Sequence, residues 1–303
     1  MLKIMMTLLV GMSSAAIATP AAAVEPPLEV SLPGQLVVVT ANLQELNAED
    51  LQNMEEMEIF VKRLLQQVPH FPDVLLLQEV ERTATLKVVR ELTAATGETY
   101  RLGVALPREW WRATDSGKRY VTETAIVINT NTIDKQSKGG WIATPDPYQK
   151  LSNVYRRQAH VALKETQSGT AFAVSSVHLP YAKKVNGFTD AEQTKFRRWT
   201  DAIASKLQNK YPGRVRMMGG DFNQGRCNVF PCEETEFWKL LTRRYGYKDT
   251  TYEYNQRLEW YDRLKDGVDF IFTTSANVID AGVDDSKNVY SNHRFRWSLV
   301  TSG

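Results

Sequence analysis

The sequence predicts a single α/β domain built on mixed β-sheets. Strand and helix patterns alternate over the first hundred residues or so, whereas consecutive strand patterns in the middle of the chain indicate antiparallel pairing. The chain has 303 residues, and no repeat, linker or low-complexity tract divides it. Its hydrophobic, charged and aromatic fractions are typical of globular proteins, which excludes disordered, collagenous, coiled-coil and multi-span membrane classes.

The predicted strands are short runs of apolar and β-branched residues bounded by turn residues. In chain order they cover residues 36–41, 74–77, 121–129, 158–164, 170–178, 215–218, 268–272, 278–282 and 295–300. Gln167, Ser168 and Gly169 form the turn of a hairpin between the fourth and fifth of these strands. The sheets are therefore expected to contain antiparallel as well as parallel pairs.

Four helices are predicted from apolar residues at helical spacing and from their cap residues. The first begins with Asn47 as N-cap and continues to residue 68, where prolines follow, and the second covers residues 85–96 before a C-capping glycine. Thr189 and Glu192 form a capping box for the third, and the fourth covers residues 234–244. The third helix places four apolar residues on one face: Phe196, Trp199, Ile203 and Leu207.

The N-terminal segment is predicted to be a secretory signal peptide. Lys3 precedes an apolar run over residues 4–10, and small residues follow up to Ala23. That run is much shorter than the roughly 20 residues of a membrane-spanning helix. We expect cleavage after Ala23, with Ala18 as the second choice, so that residues 1–23 are removed and residues 24–303 form one secreted or periplasmic domain.

Export and charge each narrow the functional classes. Cys227 and Cys232 are expected to form a short-loop disulfide in an oxidising compartment. The 37 Lys and Arg against 35 Asp and Glu give a net charge of only +2, which excludes a strongly basic polyanion-binding protein. Any contact with nucleic acid must therefore come from local clusters of basic residues.

Acidic and amide side chains follow two of the predicted strands. Glu79 ends a nearly uninterrupted apolar run, where a carboxylate is costly unless it is paired or binds a cation. Asp221 and Asn223 follow two glycines, and their alternate positions place them on the same side of the chain. Taken singly, these residues also fit ordinary strand ends and turns.

Two histidines also stand at strand ends. His178 ends the strand over residues 170–178, and His293 precedes the last strand. Asp269 lies within an apolar strand, from which a carboxylate can orient an imidazole and hold the tautomer that a general base needs. The occurrence of all these groups at successive strand ends favours a catalytic site over a set of unrelated structural residues.

The order of the motifs resembles the endonuclease/exonuclease/phosphatase family over about residues 36–300. The motifs are Thr40-Ala41-Asn42, Leu77-Gln78-Glu79-Val80, Val177-His178-Leu179, Gly220-Asp221-Phe222-Asn223, Asp269-Phe270-Ile271-Phe272 and Ser291-Asn292-His293. This resemblance implies a four-layered α/β sandwich, in which two central mixed β-sheets pack face to face with helices outside. It also implies metal-dependent hydrolysis of phosphoesters.

The resemblance assigns roles to the site residues. Asn42 and Glu79 correspond to the metal-binding pair, and Asp221 and Asn223 would hold the phosphate and the attacking water. His178 would contact the phosphate or leaving group, and His293 paired with Asp269 would be the general base. Mg²⁺ is the expected ion because it prefers oxygen ligands, with Mn²⁺ or Ca²⁺ as alternatives.

Three positions leave alternatives open. Asn292 stands where the family usually has an aspartate, so an uncharged amide would replace a charged metal ligand. Asp262 lies in a second segment that resembles the family's Asp-Arg strand, although apolar strand residues follow Asp269 and favour it as the partner of His293. Glu123 is a candidate acidic partner for His178, as in deoxyribonucleases.

The substrate expectation depends on basic residues interleaved with aromatic ones. Residues 108–112 and 118–120 combine both types in an expected loop that would hold phosphates and stack on bases, although an ordinary hydrated loop is the alternative. Arg156–Arg157, Lys183–Lys184 and Arg226 would add positive potential. We expect a secreted monomeric nuclease acting on DNA, without stable membrane insertion. A phosphatase or sphingomyelinase-like phospholipase of the same family, and a catalytically weakened binding or effector protein, are the alternatives.

Overall fold

Two mixed β-sheets stack face to face in the computed structural model, with helices against both outer faces. This confirms the predicted four-layered α/β sandwich. The structure describes residues 31–46, 51–105, 111–113, 119–121, 123–146, 154–180, 188–228, 233–255, 267–275, 277–284, 291 and 293–301. The predicted signal peptide, Asn47, Lys183–Lys184, Cys232, Asp262 and Asn292 lie outside these residues, and the predictions that concern them stay predictions.

The strands, in chain order, are β1 (Gln35–Leu46), β2 (Val74–Val80), β3 (Tyr100–Leu102), β4 (Trp111–Ala113), β5 (Arg119–Val121), β6 (Thr124–Asn129), β7 (Ile133–Lys135), β8 (Gly140–Ala143), β9 (Val154–Glu165), β10 (Ala171–His178), β11 (Val215–Asp221), β12 (Lys248–Asp249), β13 (Asp269–Thr273), β14 (Asn277–Val283) and β15 (Arg296–Thr301). The first sheet has the order β14-β15-β1-β2-β6-β3. The second has the order β12-β13-β11-β10-β9-β5-β4, and β7 and β8 also pair with β9.

The helices are α1 (Leu51–Gln67), α2 (Arg82–Thr96), α3 (Asp190–Lys210), α4 (Glu236–Lys239) and α5 (Thr250–Asn255). Among the residues placed in the structure, no helix is both long and apolar enough to cross a membrane. The predicted C-cap of α2 is confirmed, because Gly97 has a φ of 75° and its N–H donates to the carbonyl of Thr93. The capping box of Thr189 and Glu192 on α3 is also confirmed.

Alternation along the strands divides the apolar side chains into three cores. Leu36 and Val38 face the second sheet, whereas Val37 and Val39 face α1 and α2. A third core lies between the second sheet and the helices α3 and α4, with Phe222 among its fully buried side chains. The core between the two sheets fixes their positions relative to each other. The candidate site lies at one end of this stack.

The predicted strand over residues 121–129 is corrected by the structure. It divides into β5, which pairs with β9 in the second sheet, and β6, which pairs with β2 in the first. The division falls beside Glu123, whose backbone carbonyl accepts from Val80 N–H while its side chain reaches the second sheet. A continuous strand could not serve both sheets.

Two other expectations also need correction. The predicted helix over residues 234–244 is α4 followed by a π-helical turn, Leu240–Arg244, in which Tyr245 N–H donates to the Leu240 carbonyl at 3.3 Å. The expected loop with basic and aromatic residues contains a hairpin, because β4 pairs with β5. Most of that segment, and the side chains of both strands, lie outside the description.

A buried histidine in the second sheet predicts how stability depends on pH. His160 is 1% exposed, and its Nδ1 lies 2.9 Å from the hydroxyl of Tyr211. Burial, together with the positive charges of Lys210 and Lys206, lowers the pKa of His160 from 6.5 to about 4. The unfolded chain therefore binds this proton at a higher pH than the folded protein does. The contribution of neutral His160 to the free energy of unfolding is therefore fully present above pH 6.5. It is lost as the pH falls toward 4, by up to about 3 kcal/mol.

Urea unfolding between pH 7.5 and 4 measures this effect. The variant His160→Gln should lose stability less steeply than the wild type as the pH falls from 6.5 to 4. Equal slopes in the wild type and His160→Gln would show that His160 does not contribute to the pH dependence.

Candidate active site

The predicted site residues meet at one end of the two stacked sheets. In the second sheet, His178 pairs in register with Asp221 across β10 and β11, and Asp221 pairs with Asp269 across β11 and β13. In the first sheet, Asn42 lies in register with Gln78, the residue before Glu79. The two sets face each other across the interface between the sheets, which brings side chains from distant parts of the sequence together.

Three charged or titratable groups and an amide form the centre of the site. Asn42 Nδ2 donates to Glu79 Oε1 at 3.0 Å and to Asp221 Oδ2 at 3.1 Å. His178 Nε2 lies 3.4 Å from Glu79 Oε1 and 3.6 Å from Asp221 Oδ2. Each carboxylate thus has a polar neighbour from the opposite sheet.

The backbone around these residues is shaped to present their side chains. Glu79 and Asn223 both have a φ of 52°, which is uncommon for residues other than glycine. Gly220 has a φ of 153°, and a Cβ there would lie 1.8 Å from the carbonyl oxygen of Val177. Only glycine allows β11 to approach β10 this closely immediately before Asp221.

His293 and Asp269 form a pair beside this centre. The imidazole Nδ1 lies 2.8 Å from Asp269 Oδ2, and Nε2 lies 4.0 Å from Asp221 Oδ2. Burial lowers the pKa of His293, but the hydrogen bond and charge of Asp269, together with the charges of Asp221 and Glu79, outweigh it and raise the pKa to about 9. The arrangement fixes Nδ1 on Asp269 and turns Nε2 toward the centre of the site.

Asp221 is a buried carboxylate that lies beside a second carboxylate, and both conditions raise its pKa. Its burial raises its pKa to about 6, and the charge of Asp269 adds to this, while His178 and His293 act in the opposite direction. The charged form of a buried carboxylate such as Asp221 would be stabilised by a cation.

His178 is held by Glu123, which lies between β5 and β6, and by side chains of β9. Its Nδ1 lies 3.0 Å from Glu123 Oε1, and that oxygen also lies 2.8 Å from Arg156 Nε. Burial alone would raise the pKa of Glu123, but the charges of Arg156 and His178 have the larger effect and lower it to about 2. The backbone of His178 is held by Gln158, whose amide accepts from His178 N–H at 2.7 Å and donates to its carbonyl at 2.8 Å.

Asn223 is tied to the neighbouring strand. Its Nδ2 donates to the Leu179 carbonyl at 2.7 Å and to Asp221 Oδ2 at 3.1 Å, and its backbone N–H donates to Asp221 Oδ1 at 2.7 Å. These bonds fix the direction of the amide. Phe222 between them is fully buried and stacks on Phe237, with ring centroids 5.5 Å apart, as its expected inward orientation requires.

The donor set fits a divalent metal ion. Among the residues that the structure describes, two groups have possible ligand atoms within 4.8 Å of one another. They are Glu79, His178 and Asp221, and Asp221, Asp269 and His293. Oδ1 of Asp269 is buried and has no hydrogen-bond partner within the described structure. Carboxylate oxygens are the ligands that hard divalent cations prefer. Asn42 directs its amide nitrogen toward the carboxylates and its oxygen toward Gln44 N–H, at 2.9 Å.

The structure also shows contributors that the motifs did not identify. Arg156 was expected to add positive potential to the site, but it is buried and ion-paired with Glu123. Gln158 was not singled out at all. Arg226 pairs with Glu234 at 3.2 Å and lies over the ring of Tyr252 at 4.2 Å. The signal for Arg156 and Gln158 was their spacing of two residues, which places both on one face of β9.

The cysteine loop follows the site along the chain. Cys227 forms a β-bridge with Glu234, and no cysteine is free among the residues that the structure covers. Since Cys232 is outside them, the predicted disulfide is not tested.

No protein-family profile matches the chain, and neither does any curated protein. Solved structures do match. An endonuclease/exonuclease/phosphatase from Bacteroides vulgatus superimposes with a TM-score of 0.61 at 14% identity, over 88% of this chain and 98% of that one. A mannosyl-6-phosphatase from Bacteroides thetaiotaomicron gives 0.58 at 15% identity, over 88% and 99%. The catalytic domain of human Nocturnin, with bound sulfate, gives 0.55 at 18% identity, over 89% and 95%. The chain therefore has the fold of the endonuclease/exonuclease/phosphatase proteins, which confirms the resemblance of its motifs.

Proposed function

We propose that the protein is a divalent-metal-dependent phosphoester hydrolase of the endonuclease/exonuclease/phosphatase family, and that it cleaves phosphodiesters, with DNA as the first candidate substrate. The observation that carries this proposal is the His293–Asp269 pair, 2.8 Å apart, set beside the carboxylates of Asp221 and Glu79 at the end of both sheets. An oriented imidazole next to clustered carboxylates is suited to activating water near a cation.

In the proposed reaction, the oxygen of a water molecule forms a new bond to phosphorus while the bond to the leaving oxygen breaks. Asp269 holds the Nδ1 hydrogen of His293, so that Nε2 of the neutral imidazole can accept the proton of the water. A cation beside Asp221 and Glu79 would offset their charges, which raise the pKa of His293, and would so favour this neutral form. His178 is placed to donate to a phosphate or leaving-group oxygen, and Asn223 orients the phosphate and water. A divalent cation held by Glu79, with Asn292 as a further ligand, would neutralise charge on the phosphate oxygens. Asn42 would join these ligands if its amide turned its oxygen from Gln44 N–H toward the ion.

The choice of Mg²⁺ is supported by the carboxylates, Glu79, Asp221 and Asp269, which outnumber the histidines in the two groups of possible ligands. Mn²⁺ and Ca²⁺ share this preference for oxygen and are the alternatives. The choice of DNA is supported by the basic and aromatic residues of the segment that contains β4 and β5. Secretion after cleavage at Ala23, a disulfide between Cys227 and Cys232, and a monomeric state belong to the same proposal.

A phosphomonoesterase is the second candidate, because the mannosyl-6-phosphatase from Bacteroides thetaiotaomicron shares the fold over most of both chains. The two candidates are separated by rates on bis(p-nitrophenyl) phosphate and p-nitrophenyl phosphate, followed by DNA, RNA, sphingomyelin and phosphoinositides. All substrates are tested with Mg²⁺ and with EDTA. Mg²⁺-dependent cleavage of the diester and of DNA is expected. Cleavage of monoesters alone would favour the phosphatase, and the absence of any turnover would refute the hydrolase.

Asn292 provides a prediction about metal affinity. Asn292→Asp should place a charged ligand where the amide stands, tighten Mg²⁺ binding by about tenfold, and preserve or raise hydrolysis. The measurement is the Mg²⁺ concentration that gives half-maximal hydrolysis of DNA, with Mn²⁺ as a second titration. If the concentration is unchanged, residue 292 does not contact the ion. If neither the wild type nor Asn292→Asp hydrolyses any of these substrates, the protein is a binding or effector protein and not a hydrolase.

A further inference from the structure

Arg156 is directed into the protein rather than toward solvent. Its side chain is 9% exposed, Nε lies 2.8 Å from Glu123 Oε1, and Nη1 donates to the Leu179 carbonyl at 2.9 Å. A buried guanidinium is costly unless its charge and its N–H groups are satisfied. Here one edge of the group meets the carboxylate of Glu123, between β5 and β6, and the other meets the carbonyl of Leu179, directly after β10.

Both partners of Arg156 lead directly to proposed catalytic residues. Glu123 Oε1 lies 3.0 Å from His178 Nδ1, and the Leu179 carbonyl also accepts from Asn223 Nδ2 at 2.7 Å. The guanidinium of Arg156 therefore contacts His178 through the Glu123 carboxylate and Asn223 through the Leu179 carbonyl. A planar group with N–H donors in fixed directions is suited to this, whereas the single ammonium of lysine is not.

The strand that carries Arg156 is built to hold the same segment. Gln158, two residues along β9 and so on the same face, makes two hydrogen bonds to the backbone of His178. Arg157, between them, faces the other side of the sheet. The 156–158 face of β9 thus supports the end of β10 at three points: the His178 ring, the His178 backbone and the Leu179 carbonyl.

We propose that Arg156 is a positioning residue of the phosphoester site, holding Glu123 against the imidazole of His178 and the Leu179 carbonyl against the amide of Asn223. This inference rests on the proposed hydrolase function. It replaces the expectation that Arg156 attracts the substrate through its charge. A positioning role affects the turnover of bound substrate, whereas attraction by charge affects the substrate concentration that is needed.

The variants Arg156→Met, Arg156→Lys and Glu123→Gln test the proposal, with Arg157→Met as a matched control of the same charge change on the other face. Arg156→Met should lower kcat on DNA by roughly 10²-fold with little change in KM, because small displacements of catalytic groups have effects of this order. Arg156→Lys should recover only a small part of kcat. Arg157→Met should retain the wild-type kcat. A rise in KM without a fall in kcat in both Arg156→Met and Arg157→Met would overturn the proposal in favour of charge attraction.

The double variant Arg156→Met/Glu123→Gln separates positioning from stability. It removes both buried charges, so its melting temperature should recover relative to Arg156→Met, which leaves Glu123 unpaired. Its kcat should stay as low as that of the single variants, because His178 and Asn223 remain unsupported. Recovery of kcat together with the melting temperature would show that Arg156 serves stability alone.

A readout without turnover keeps this test independent of the proposed function. In ¹⁵N spectra of the histidine rings of the metal-free protein, with His178→Gln for assignment, the His178 nitrogen signals should shift in Arg156→Met and Glu123→Gln but not in Arg157→Met. If the wild type hydrolyses no phosphoester but these shifts occur, the proposed function fails while the positioning of His178 stands. Unchanged His178 signals in Arg156→Met would refute the positioning role.

Discussion

Replacing His293 by alanine is expected to lower kcat on DNA by roughly 10²- to 10⁴-fold, the usual cost of losing a general base. The reason is geometric: the Asp269 carboxylate holds Nδ1 at 2.8 Å, so Nε2 is the atom turned toward the centre of the site. Fold and most of the substrate affinity should be retained, because the side chain of His293 is partly exposed, at 22%, and its removal leaves no fully enclosed cavity. Steady-state kinetics with circular dichroism measures both.

Asp269→Asn should fall in the same class as His293→Ala. The amide lacks the charge that stabilises the protonated imidazole, and its N–H₂ group can turn the ring to the wrong tautomer. Asp262→Asn is the control, because Asp262 belongs to the competing motif. If Asp262→Asn is the damaging change while Asp269→Asn retains activity, the pairing of His293 with Asp269 has no catalytic role.

Glu79→Gln is the second change with a large expected effect. It removes one ligand charge from the group formed with His178 and Asp221, so the Mg²⁺ concentration for half-maximal activity should rise about tenfold or more and activity at low Mg²⁺ should fall. The measurement is hydrolysis of DNA across a Mg²⁺ titration. Glu81→Gln, which removes the same charge two residues along at a position with no side-chain cap bond, should behave as the wild type. An unchanged titration for Glu79→Gln would exclude Glu79 as a ligand.

Much of the fold was predictable because its information is local. The apolar runs of β1, β2, β10 and β11 and the cap residues around α2 and α3 are contiguous in sequence, and their elements appear where they were predicted. The division of residues 121–129 between two sheets was not predictable, because β-branched residues look alike in either sheet. The division falls beside Glu123, whose side chain contacts Arg156 and His178. Both partners are distant in sequence, so local patterns do not indicate these contacts.

The site shows the same limit. The residues that face one another were recognisable from their positions at strand ends, and the structure brings Asp269 to His293. The role of Arg156 was not recognisable, because a single arginine on a strand is consistent with substrate attraction, a surface ion pair or an internal one. Only the direction of its guanidinium, toward the Leu179 carbonyl and Glu123, distinguishes these.

The division of the site between two sheets makes its geometry sensitive to shear. Backbone hydrogen bonds join strands within each sheet, whereas the sheets are held together by side-chain packing and by a few polar bridges such as Gln78 Nε2 to Ser176 Oγ, at 2.9 Å, and Ser176 Oγ to the Leu77 carbonyl, at 2.7 Å. A slip of one ångström between the sheets would break no strand pair, yet it would separate Glu79 from His178. Gln78 precedes Glu79 by one residue and Ser176 precedes His178 by two. These hydrogen bonds therefore keep the two sheets aligned next to the site, where a displacement would have the largest effect.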